Sequence, residues 1–162
     1  MIRVLWAALV AALVGCSALD PWSQDGIVSS DGTFASKRLS YAPTSGYPPW
    51  RIEFFREGEE LRAFVSLMQH RFRPVDFGRV RVRLSLEGEV LEELTTLFEG
   101  GMKVKLSDRL TNSLIRALQE GKKVSILVGE WEETLEAASF KRKFTKLMDD
   151  SREWLAIQTP LK

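Results

Sequence analysis

Few side chains in this 162-residue chain are suited to chemistry. It has one cysteine, Cys16, and one histidine, His70. A histidine acting as general base needs a nucleophile beside it and an acid to orient it. Ser66 and Ser85 are present, but no nucleophile motif surrounds either. His70, in the run Gln69-His70-Arg71-Phe72-Arg73, is therefore expected as a surface histidine at a strand end. Two carboxylate clusters, Glu57/Glu59/Glu60 and Glu130/Glu132/Glu133, fall at turns without the spacing of a calcium loop. A zinc site with a single histidine would need several carboxylates in support. The chain has no glycine-rich phosphate loop and no dinucleotide fingerprint. Paired carboxylates could hydrolyse cell-wall glycans only if held about 5 to 10 Å apart across a cleft, a geometry that sequence spacing does not supply. The expectation is a non-enzymatic protein with no metal and no cofactor.

Binding chemistry is better represented. In the stretch Arg79 to Leu86, Val80, Val82, Leu84 and Leu86 alternate with Arg79, Arg81, Arg83 and Ser85. A strand so patterned buries the aliphatic row and projects three guanidinium groups from the other face, about 7 Å apart. Guanidinium pairs bidentately with phosphate and carboxylate, so Arg79, Arg81 and Arg83 are the candidate contacts for an anionic ligand or an acidic partner. The competing outcome is cross-strand pairing with Glu53, Glu92 or Glu93. The basic face of a helix after Ser139, with Lys141, Arg142, Lys143 and Lys146, is expected as solvated surface.

Cys16 carries the most specific signal. The chain begins with one cation, Arg3, and an apolar run from Val4 to Gly15. A basic start and short apolar run is the form of an export signal, and the run is shorter than the roughly 20 residues a membrane span needs. It ends in Leu13-Val14-Gly15-Cys16, which resembles the lipobox of bacterial lipoproteins. The resemblance covers residues 1–17. It implies that residues 1–15 are a signal peptide, that the Cys16 thiol receives a diacylglyceryl group, and that the new amine is acylated after cleavage. Three acyl chains would anchor firmly where one would not. In Gram-negative members an Asp after the cysteine favours the inner membrane. Ser17 stands here, so the resemblance points to the outer membrane, on its periplasmic face. With Cys16 modified, no cysteine is left for a disulfide.

Charge excludes one class of partner. The whole chain holds 23 basic and 22 acidic side chains. Loss of Arg3 with the signal leaves the remainder balanced, with no general field for nucleic acid. The expected partners are the membrane, through Cys16, and an envelope protein, with an anionic envelope ligand such as a lipid A phosphate or peptidoglycan as the alternative.

Residues 17–49 are rich in Ser, Asp, Gly and Pro, with turn signals at Asp25-Gly26, Asp31-Gly32 and Pro48-Pro49. Residues 16–49 read mostly as a flexible tether, reaching about 110 Å if extended. Trp22, Phe34 and Tyr41 are apolar enough to dock, and Lys37 to Tyr41 could form a first edge strand. Residues 50–162 read as one domain of suitable size for a modest core. A hairpin is expected over Trp50–Phe55 and Leu61–Met68 about the Glu57-Gly58-Glu59 turn, then the Arg79–Leu86 strand. Glu89 to Phe98 fits helical spacing, but Gly88 and Thr95-Thr96 tilt it towards a strand. After Gly100-Gly101, Met102–Leu106 reads as a short strand. Ser107 or Asp108 can cap a helix bearing Leu110, Leu114, Ile115 and Leu118, ended by Gly121. Lys122–Gly129 reads as a strand, and Ser139 can cap a second helix with Phe140, Phe144, Leu147 and Met148 on its apolar side. In the tail, Trp154, Leu155 and Ile157 are expected to add a strand or dock.

The fold class expected is α+β: an antiparallel sheet or β-sandwich-like domain with two helices packed on one face or end. The stretch Leu106 to Met148 resembles, in a helix ending Ala117-Leu118-x-x-Gly121, a basic strand and a Phe-containing helix, the C-terminal half of small exported β-sandwich proteins of the invasion-associated locus B type. No cysteine pair matches, and the resemblance implies only a sandwich-like fold.

Overall fold

Alternating inward and outward side chains build the sheet. The computed structural model describes residues 20–28, 35–43 and 50–149. The signal run, Cys16, Phe34 and the tail with Trp154, Leu155 and Ile157 lie outside the described residues. The strands are β1 (Trp22–Val28), β2 (Ala35–Tyr41), β3 (Trp50–Glu57), β4 (Glu60–Leu67), β5 (Arg79–Leu86), β6 (Glu89–Phe98), β7 (Lys103–Lys105), β8 (Val124–Val128) and β9 (Trp131–Leu135). They form a nine-stranded antiparallel sheet in the order β1-β2-β3-β4-β7-β6-β5-β8-β9. Two helices, α1 (Asp108–Gln119) and α2 (Phe140–Met148), pack against it. The class is α+β.

One core fills the inner face. Leu39, Ile52, Phe54, Ala63, Val65, Val80, Val82, Leu84, Val104, Val124, Ile126 and Val128 are wholly buried, together with Leu110 and Leu114 of α1 and Phe140 and Leu147 of α2. The sheet curls until its two edges meet. The Trp22 indole N–H donates to the Glu136 carbonyl just past β9 at 2.7 Å, and the Tyr41 hydroxyl donates to the Thr134 carbonyl at 3.3 Å.

The stretch read above as tether therefore contributes two strands of the sheet. Its composition misleads for a physical reason. The outward positions of β1 and β2 hold Ser23, Asp25, Ser36, Arg38 and Ser40, while the inward row includes Gln24 and Gly26. Only Trp22, Leu39 and Tyr41 supply described apolar burial, too few to show a period. Gly26, expected at a turn, pairs with Lys37 inside β1–β2. Lys37–Tyr41 is strand, as the alternative had it, but β1 covers it, so it is not an edge.

Other boundaries follow their local chemistry. Ser107 Oγ accepts the Leu110 amide at 3.2 Å and starts α1, and Gly121 ends it with φ +77°. Ser139 sits at the cap position of α2 but does not cap it. Its φ is +63°, and its hydroxyl donates to Asp20 Oδ1 at 2.7 Å. Glu89–Phe98 is strand throughout: Leu91 and Leu97 turn inward and Val90, Leu94 and Phe98 outward, so the helical spacing is coincidental.

Candidate functional site

The β5–β6 hairpin presents the arginine row. Its turn is made by Glu87 and Gly88, the latter at φ +95°, which a side chain would strain. Val80, Val82 and Leu84 anchor β5 in the core, so Arg79, Arg81 and Arg83 must face out. Each has a carboxylate partner. Arg79 pairs with Asp76 at 2.7 Å, and its hydrogen bonds hold the Asp76 carboxyl below its ordinary pKa. Arg81 and Arg83 share Glu92 across the ladder, at 3.3 and 2.8 Å. Of the other expected partners, Glu93 meets Arg109 at 3.7 Å, and Glu53 pairs elsewhere.

Beside this row runs an apolar one. Val90, Leu94 and Phe98 stand on the outward face of β6, with Phe98 45% exposed. The Leu97 amide donates to the Gly78 carbonyl at 2.8 Å, bringing the preceding turn alongside the end of β6. At that turn Phe77 is fully exposed, with φ +28°. A bulky residue at positive φ is strained, and the exposed apolar side chains here are grouped instead of scattered singly. Phe77 follows no pattern in the sequence, and Leu94 and Phe98, on a stretch whose Gly88 and Thr95-Thr96 favour the strand that forms, also fit a helical spacing that hides their shared outward face. The available signal was an aromatic set within the polar turn Asp76-Phe77-Gly78.

A second cluster lies on the outer face of β3, β4 and β7. Glu53 is nearly buried there, accepting from Arg38 at 3.0 Å and facing the Lys103 ammonium at 3.8 Å. Phe55 and Phe64 meet edge to face at 5.7 Å, and Lys103 lies 5.0 Å from the Phe64 ring. A cavity of about 310 Å³ opens beside them, with Arg51, Ser66, Met102 and Glu99 in its wall. Lys103 also contacts Glu99 at 3.2 Å. Its ammonium thus stands between two carboxylates, where a glycosidic oxygen would have to sit for the pair to act on it.

Elsewhere, the His70 ring packs on Trp131, with centroids 5.3 Å apart. At the seam where the sheet's edges meet, burial, then the charges of Glu133 and Glu136, push the Tyr41 hydroxyl up to about 12. Burial also raises the Glu133 carboxyl above its ordinary value. Among the described residues no three His, Cys, Asp or Glu side chains gather as a metal site, and no helix is long and apolar enough to cross a membrane. No protein-family model, curated protein or solved structure matches the chain.

Proposed function

We propose that this chain is an envelope lipoprotein, held at the outer membrane through a lipid on Cys16, whose domain binds a protein partner through the outer face of the β5–β6 hairpin. The observation that carries the reading is the exposed set Phe77, Leu94 and Phe98 beside three arginines. Aromatic and arginine side chains are the residues that interface centres favour. The charge state suits a protein partner better than a purely anionic one. Asp76 and Glu92 already meet the three guanidiniums, leaving an excess of one positive charge for a partner's carboxylate. The reading assigns no catalytic step and no cofactor.

A second reading, binding of an anionic envelope ligand, draws support from Arg51. It lines the 310 Å³ cavity and makes no ion pair among the described residues.

One experiment separates the two. The full chain is crosslinked in its membrane and captured, as wild type and as Phe77→Ser/Phe98→Ser. Loss of two aromatic anchors at an interface should lower recovery of a specific partner more than tenfold. Undiminished recovery overturns the protein-partner reading. Binding of peptidoglycan fragments or lipid A that falls in Arg51→Gln, in the cavity wall, supports the second. A Cys16→Ala chain should leave the membrane fraction. If it stays, the anchor is misassigned.

A further inference from the structure

Helix α2 carries five charged or hydroxyl-bearing positions and no acid: Lys141, Arg142, Lys143, Thr145 and Lys146. Phe140, Phe144 and Leu147 fasten its other side to the core. Lys143 turns towards β1, where its ammonium meets Asp20 at 2.6 Å and donates to the Trp22 carbonyl. Lys141, Arg142 and Lys146 are different. All three are exposed, and none has an ion-pair partner among the described residues. With Ala137, Ser139 and Thr145 they line an open depression of about 640 Å³. Arg142 and Lys146 stand four residues apart, a spacing at which like charges repel and weaken the helix. A nearby anion would remove that cost.

The position of this face matters as much as its charge. Asp20 holds the start of β1 to the start of α2, accepting from the Ser139 hydroxyl at 2.7 Å and the Trp22 amide at 3.0 Å. Cys16 is four residues before Asp20. Fully stretched, that interval spans about 14 Å. A lipid on Cys16 would thus keep α2 within reach of the headgroups, in place of the long leash that the composition of residues 17–49 implies.

We propose that the exposed face of α2, through Lys141, Arg142 and Lys146, lies on the phosphates of anionic phospholipid, so that anchor and helix together fix the domain's orientation on its membrane. Lysine and arginine pair well with phosphate, and a basic patch is a usual second signal beside acyl chains. α2 packs on the inner face of the sheet, and Val90, Leu94 and Phe98 stand on the outer face of β6. The orientation therefore keeps the two surfaces apart. The inference rests on lipidation of Cys16.

The test uses the full lipidated chain with Thr145→Cys, its only free thiol, carrying a fluorophore. It is placed in vesicles of phosphatidylcholine, with or without phosphatidylglycerol, that contain a headgroup-bound paramagnetic quencher. Quenching at position 145 should be strong only with phosphatidylglycerol. The membrane-facing population should fall about fivefold for each of Lys141→Gln, Arg142→Gln and Lys146→Gln. A probe at Thr96→Cys, on the outer face, should stay bright. Quenching that ignores these substitutions, or that is equal at positions 96 and 145, overturns the proposal while the anchor stands. So does equal shielding of position 145 from aqueous iodide in both vesicle types, which would place protein on that face. A chain whose mass shows an unmodified Cys16, and which washes off neutral vesicles, overturns the anchor and this orientation together.

Discussion

Two groups of three cations sit on this domain, and their surroundings set them apart. Arg79, Arg81 and Arg83 are spaced along a strand whose neighbours supply Asp76 and Glu92, so every guanidinium has a carboxylate within 3.3 Å. Lys141, Arg142 and Lys146 ride on a helix with no acid, and none has an ion pair among the described residues. Sequence pattern ranks them the other way, because regular alternation is conspicuous and a basic helix face is commonplace. Cross-strand geometry and an adjoining turn readily neutralise a charged row, whereas a short surface helix has few neighbours able to do so. The paired row suits a face that another protein covers. The unpaired one suits a face that meets anions.

The largest expected effect comes from removing what places the helix. Trp22 is buried between β2 and α2, with its ring 4.9 Å from Tyr41 and 4.8 Å from Phe140. Trp22→Ala should cost about 3–5 kcal/mol, measured as a fall in the denaturant midpoint. That is a large share of the roughly 5–15 kcal/mol by which such domains are stable. Native-state hydrogen exchange should show α2 losing protection before the β5–β6 hairpin. Equal loss in both would mean that the two cation groups share one rigid frame and that Trp22 does not govern the helix alone.

A smaller effect tests the row itself. Glu92→Gln would release both Arg81 and Arg83 and make the hairpin resemble α2. Exposed pairs of this kind contribute about 1 kcal/mol or less, so stability should hardly move. Retention on a polyanion column should rise instead, with elution at higher salt. Glu93→Gln frees only Arg109, whose pair is longer at 3.7 Å, and should shift elution less. If Glu92→Gln elutes with wild type, the carboxylate was not masking the row.

How far this could be read beforehand depends on the kind of signal. The Arg79–Leu86 strand was plain because its four inward residues are all aliphatic and its outward ones all polar. Helix α1 was plain because a cap, a stripe and a terminal glycine agree. β1 and β2 were obscure because their burial rests on two aromatics and one leucine, and because their partners, Glu136 and Thr134, are more than ninety residues away. The Asp20 clamp was equally hidden. It looks like a linker residue, and Ser139 looks like a helix cap, until folding brings the two together across the seam.

That clamp and its counterpart in the row give the smallest effect and the finest comparison. Burial would raise the Asp20 carboxyl, but hydrogen bonds from Lys143, Ser139 and the Trp22 amide outweigh it and hold the group below its ordinary value of 3.8. A carboxyl lowered by folding adds stability at pH values above its unfolded pKa, and that contribution is lost as pH falls through the folded value. Asp20→Asn should therefore melt lower than wild type at neutral pH, by about 1 kcal/mol or less for so exposed a pair, and the gap should close below pH 3.8. Asp76 is lowered in the same direction by Arg79, so Asp76→Asn should converge on wild type over the same acid range. The two variants should part at neutral pH on anionic vesicles. Asp20→Asn removes the carboxylate that neutralises Lys143 and so leaves α2 with a fourth uncompensated cation, still hydrogen-bonded to the Trp22 carbonyl, and it should bind more tightly. Asp76→Asn frees Arg79 on the face turned away, so it should bind as wild type does. Tighter binding by Asp76→Asn would mean that the hairpin, and not the helix, meets the membrane.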